Sequence, residues 1–151
     1  TAAESLSAAV ERLYGRGFRT FLSGMAVGFD LAAAEAVLTL RAAHPDVRLV
    51  AVVPFRGQEE RFSPADRVRF LRAVAAADEV EVLAGGYRRG CYAVRNDFLV
   101  DRAALVVAWY DGSPGGTRYT LRRALARGRE VWNLHPSGGG LAIRPVQPAL
   151  F

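Results

Sequence analysis

Apolar positions along the chain follow two alternating periods. Leu6, Ala9, Val10 and Leu13 recur at helical spacing and predict a helix over residues 2–14, stopped by Gly15-Arg16-Gly17. Residues 18–22 form a short apolar strand, residues 23–28 a small-residue turn and residues 29–43 an Ala-rich helix closed by His44-Pro45. Residues 47–53 are almost continuously apolar, as in a parallel strand covered on both faces. A polar loop over 54–63 leads into a helix over 64–77 with proline at its first turn. There follow a strand over 79–83, a Gly- and Arg-rich loop over 84–90 and a helix over 92–102. The last elements are a buried strand over 105–110, a tight loop over 111–116, a helix over 117–127 and a strand over 130–134.

Strands that alternate with helices predict an α/β fold: a Rossmann-like three-layer sandwich, its sheet mainly parallel, with helices on both faces. Right-handed crossovers bring the loops after the strands to one edge of the sheet. Ligands bind at that edge, where the strand order reverses. The expected domain spans residues 1–136, with a Gly/Pro-rich tail over 137–151. The pattern opens on a helix where such folds usually open on a strand, so a leading strand is expected to be absent.

Composition narrows the classes. The 151 residues, 51% hydrophobic and 23% charged, are those of one globular domain. No apolar run approaches the roughly 18 residues of a membrane span, and the first residues lack the pattern of a secretory signal. The single cysteine, Cys91, has no partner for an internal disulfide, in keeping with a cytoplasmic location. All 20 basic residues are arginine, so Schiff-base chemistry on a lysine of this chain is excluded. The arginines are scattered, and a net charge of +5 reads as a solvated surface before it reads as a nucleic-acid groove. His44 and His135 have no carboxylate or thiol at ligand spacing, and no metal site is expected.

Four segments carry candidate chemistry. In the 23–28 turn, Ser23, Gly24, Met25 and Gly28, with Asp30 just beyond, let backbone N–H groups approach an anion at a helix start. A plain βα turn capped by Asp30 fits equally well. Asp111, Gly112, Gly115, Gly116 and Thr117 repeat the arrangement after another strand, so two turns can cradle a phosphate or pyrophosphate, with Asp111 accepting from ribose hydroxyls. In the 54–62 loop, Phe55 can stack on a base and Gln58 and Glu59 can hydrogen-bond a base or sugar; a surface loop of paired charges is the alternative. On the helix over 92–102, Arg95 can take a phosphate, with Asn96 beside it; exposed helix charges are the alternative.

These segments, in this order, resemble the YspA/YpsA-like branch of the SLOG superfamily. The resemblance rests on Ser23-Gly24-Met25-Ala26-Val27-Gly28-Phe29-Asp30, Ala33-Ala34-Glu35-Ala36, Val53-Pro54-Phe55 and Gly57-Gln58-Glu59. Ala77-Asp78-Glu79-Val80, Arg95-Asn96, Val100-Asp101-Arg102 and residues 111–117 complete it. It implies a Rossmann-like fold that binds a nucleotide or a nucleotide derivative such as ADP-ribose, in a homo-oligomer. Relatives in the wider superfamily include cytokinin-activating phosphoribohydrolases, the DNA-processing protein DprA and ligand sensors of phage defence. Two departures stand out. The branch usually begins with a strand ending in a Thr-Gly-His-Arg-like turn, which this sequence lacks. The hydrolases follow their glycine motif with a catalytic Glu, whereas Pro114-Gly115-Gly116-Thr117 is followed here by Arg118, Tyr119 and Thr120.

Three functions follow as expectations. The first is a binding module for a small nucleotide-type ligand, requiring no cofactor. The second is an N-glycosidase, for which Glu59 and Glu35 are the candidate carboxylates. The third is DprA-like binding of single-stranded DNA, which the scattered charge disfavours.

Overall fold

The computed structural model describes residues 1–140. Most of the expected tail, from residue 141 on, lies outside the described residues. Eleven elements appear among them: α1 (Ala2–Gly15), β1 (Thr20–Ser23), α2 (Phe29–Ala43), β2 (Arg48–Val53), a 3₁₀ turn (Gln58–Arg61), α3 (Pro64–Ala76), β3 (Glu79–Val82), α4 (Cys91–Arg102), β4 (Leu105–Ala108), α5 (Gly116–Ala126) and β5 (Glu130–Asn133). Local chemistry sets several of the boundaries. Thr1 and Glu4 form a reciprocal capping box at the start of α1. Ser63 accepts from the Asp66 N–H ahead of α3, whose first residue is Pro64.

All ladders are parallel, but the sheet is in two parts. One has the order β1-β2-β3; the other pairs β4 with β5. Thr20 lies opposite Arg48 and Val50 opposite Glu79 in the first part, and Leu105 opposite Glu130 in the second. Helix packing follows the same division: α1 packs on α2 and α2 on α3, while α4 packs on α5. The connections from β1 to β2 and β2 to β3 step one way across the sheet, and α4 carries the chain back to β4. Right-handed crossovers therefore place α2 and α3 on one face, where α1 packs against α2, and α4 and α5 on the other. This is the three-layer α/β sandwich the periodicity predicts.

Burial differs sharply between strands. β2 is buried from Leu49 to Val53, as the apolar run requires. Residues 105–107 of β4, expected to be buried, are only half-buried and line a cavity. β1 borders the same cavity, and its Phe21 and Leu22 are half-buried too. The main core joins α1, α2, β2 and α3 through residues such as Val10, Leu31, Val37, Leu49 and Phe70. The second core is small: Ala108, Tyr110 and Leu121, with Val106 and Val131 against it. At its far end α1 reaches β5, where Arg16 pairs with Glu130 at 2.9 Å and Arg12 and Arg16 lie over the Trp132 ring. No helix among the described residues is long and apolar enough to cross a membrane.

Candidate functional site

The cavity between β1 and β4 measures about 780 Å³ and runs from apolar residues of α1, such as Leu6, to the carboxyl edge of the sheet. This is where the strand order reverses. At that edge it is lined by Ser23, Gly24 and Asp30 from the turn after β1, Arg95 and Asn96 from α4, and Gly116 and Thr117 from the start of α5. Two glycine turns, 80-odd residues apart in sequence, thus open onto one space. The first N–H groups of α2 and α5 have no intrahelical acceptor, and both helices present this positive end at the same edge.

The 23–28 turn is tightly built. The Ser23 hydroxyl donates to the Asp30 carbonyl at 2.9 Å and accepts from the Met25 N–H at 3.2 Å. Met25 is fully buried and holds φ at 63°, a left-handed conformation costly for a side-chain-bearing residue. Asp30 lies in the first turn of α2, and its Oδ2 accepts the Ala26 N–H at 3.3 Å. It closes the turn from inside the helix and is not the N-cap, a position Gly28 holds. The Arg95 guanidinium donates from Nη1 to the Gly24 carbonyl at 2.6 Å and from Nε to Asn96 Oδ1 at 2.8 Å. Arg95 is only 6% exposed, so it faces into the molecule and is no exposed helix charge. Burial raises the Asp30 carboxyl above the ordinary aspartate value, and the Arg95 charge and the Ala26 N–H pull against that rise. Arg95 responds in kind: burial lowers its pKa and Asp30 opposes the fall.

The second turn is shaped by Asp111, whose Oδ1 accepts from both the N–H and the hydroxyl of Ser113, at 2.9 and 2.5 Å. Those bonds hold its carboxyl below the ordinary range. Gly115 caps α5 at φ 143°, a conformation open to glycine. Asn133, which sequence reasoning passed over, is fully buried at the end of β5. Its Oδ1 accepts from the Tyr110 N–H at 2.9 Å and the His135 N–H at 3.1 Å, and its Nδ2 donates to the Tyr110 carbonyl at 3.0 Å. It thereby fixes the point from which the 111–116 loop departs. A polar residue closing an apolar strand was the available signal.

Other candidates stand apart from the cavity. Met25, Gly28, Asp111, Gly112 and Gly115 build the turns without lining it. Phe55 is buried, with Tyr87 and Tyr92 packed on it at 5.5 and 6.0 Å. Gln58 is buried with its Oε1 lacking a partner, and Glu59 sits in the 3₁₀ turn beside it. Glu35 is held by Arg69 in a two-pronged pair at 2.6 and 3.0 Å. Neither carboxylate lines the cavity. Among the described residues, no group of three or more His, Cys, Asp or Glu comes together in a metal-binding arrangement.

Parallel half-sheets, helices on both faces and glycine turns at a topological switch point define a Rossmann-like α/β domain. The chain belongs to the YspA SLOG family, whose sequence model matches residues 2–133. It is 30% identical over 148 residues to the uncharacterized SPbeta prophage-derived protein YoqJ of Bacillus subtilis, covering 88% of this chain and 86% of that one. It is 31% identical to a UPF0398 protein of Halalkalibacterium halodurans, over 76% of this chain and 62% of the relative. Among solved structures, the DNA processing protein A (DprA) of Streptococcus pneumoniae superposes with a TM-score of 0.61 at 21% identity. That match covers 87% of this chain and 44% of DprA, and it shows a shared fold.

Proposed function

We propose that this domain binds a nucleotide or nucleotide derivative, with its phosphate held between the 23–28 and 112–117 turns. The observation that carries the reading is the convergence of both glycine turns and the buried Arg95 on one cavity at the switch point. Anions are favoured there by the positive ends of two helices and by a guanidinium already desolvated. Binding without bond cleavage is the better reading. A glycosidase needs a carboxylate at the reacting carbon; Glu35 is engaged by Arg69, Glu59 is off the cavity, and Asp30, the carboxylate that lines it, accepts the Ala26 N–H within its own turn.

A thermal-shift panel of AMP, ADP, ADP-ribose, NAD and a single-stranded oligonucleotide tests this. A ligand at 100 times its Kd stabilises the native state by about 2.7 kcal/mol, a rise in melting temperature of roughly 5–10 °C for a chain of this size. In Gly116→Val the rise should vanish. The added Cβ would meet only Asn96 Nδ2, at 3.9 Å, so the substitution narrows the site without forcing the backbone. A shift with the oligonucleotide alone would favour the DNA-binding reading, and free base appearing beside a hit would establish the glycosidase.

A further inference from the structure

The 84–90 loop and the start of α4 carry two large aromatic residues that contribute nothing to either core. Tyr87 is 53% exposed and Tyr92 42% exposed. Their rings stand 6.3 Å apart, inclined at 57°, and both rest edgewise on buried Phe55. Arg61 lies over the Tyr87 ring at 5.2 Å, and Arg95 lies over the Tyr92 ring at 5.6 Å. Arg95 also donates to the Gly24 carbonyl, so this one residue joins the aromatic pair to the rim of the cavity. Phe55 anchors the pair from below, and the loops after β2 and β3 bring it to the carboxyl edge of the sheet.

Exposed aromatic surface costs hydration free energy. An inclined pair of rings, each attended by a guanidinium, suits a flat π-system that stacks on one ring and meets the edge of the other. We infer that Tyr87 and Tyr92 form the base-binding wall of the site, selecting ligands that carry a planar nucleobase over sugar phosphates that lack one. This rests on the phosphate reading above and adds a specificity to it. Phe55, the residue the sequence suggested for stacking, is the support beneath the wall.

The test compares AMP with ribose 5-phosphate by calorimetric titration of the whole chain and of Tyr87→Ala, Tyr92→Ala and the two Tyr→Phe variants. Both rings are exposed, so unchanged circular dichroism is expected of all four. Stacking on an aromatic ring is worth about five-fold or more in affinity per ring. Each Ala variant should therefore weaken AMP by at least that factor and leave ribose 5-phosphate unchanged, while the Phe variants retain AMP. AMP binding equally well to wild type and both Ala variants, or ribose 5-phosphate binding wild type as tightly as AMP, would overturn the wall and leave the phosphate site standing. Failure of both ligands to bind wild type would remove the phosphate site and the wall together.

Discussion

Gly24 is the tightest point of the site. A Cβ there would stand 2.9 Å from both Arg95 Cδ and Asp30 Oδ2, closer than such contacts allow. Gly24→Ala must push apart a buried arginine and the carboxylate whose charge compensates it. Overpacking of this kind costs about 1–3 kcal/mol, and urea unfolding should show that loss. The same movement withdraws Arg95 from the Gly24 carbonyl, so ligand response should fall by more than the change in stability accounts for. Arg95→Met is predicted to be harsher. It removes the Arg95 charge that opposes the rise in the Asp30 carboxyl, together with the bond to the Gly24 carbonyl. Lowering the pH should partly rescue this variant by protonating Asp30, whose carboxyl is already raised by burial. A variant whose stability relative to wild type is the same at pH 5 and pH 8 would contradict that assignment. Sequence placed Arg95 correctly on a helix but could not give its direction. The same helix fits a solvated face, and only the packing of α4 decides that Arg95 turns inward.

At the scale of elements, the sequence yields the helices and strands almost entirely, because apolar period and turn chemistry agree along most of the chain. Residues 47–53 read as a covered strand, and β2 is one. The 54–63 loop was harder. Its apolar Phe55 and polar Gln58 are both buried and its 3₁₀ turn is short, so neither period nor composition reports it. Tyr87 and Tyr92 escaped notice because exposure, not identity, marks them. The join between β2 and the start of β3 shows what sequence conceals and pH can reveal. Asp78 Oδ2 accepts from the Leu49 N–H and from Arg41, both at 2.8 Å. Those bonds hold its carboxyl below the ordinary 3.8, the Leu49 N–H acting most strongly. Just below that pH the unfolded chain binds more protons at this group than the fold does. The stability Asp78 contributes is thus complete above pH 3.8 and is lost as pH falls through its lower folded value. The gap in stability between wild type and Asp78→Asn should be widest at neutral pH and close in acid. A gap that stays constant from pH 7 down to pH 3 would show that the charge contributes nothing.

For the whole molecule, the sheet stands in two parts; the run over 105–110 does not report this, since it is as apolar as a fully covered strand. What the division implies is a difference in local stability. β2 has a hydrogen-bonded neighbour on each side and lies in the main core. Among the described residues β4 pairs with β5 and rests on the smaller second core. Backbone groups resting on a small core open with less disruption than those in a larger one. Amide exchange of this chain should therefore be slowest over residues 49–53 and faster over both 105–108 and 130–133. The latter two should share one opening free energy, because β4, β5 and α5 lose their packing as a unit. A ligand held between the turns after β1 and β4 bridges the two half-sheets, so binding should slow exchange in β4 and β5 more than in β2. Protection that rises equally in all three strands would mean that the ligand stabilises only the global fold, and that the half-sheets already open together.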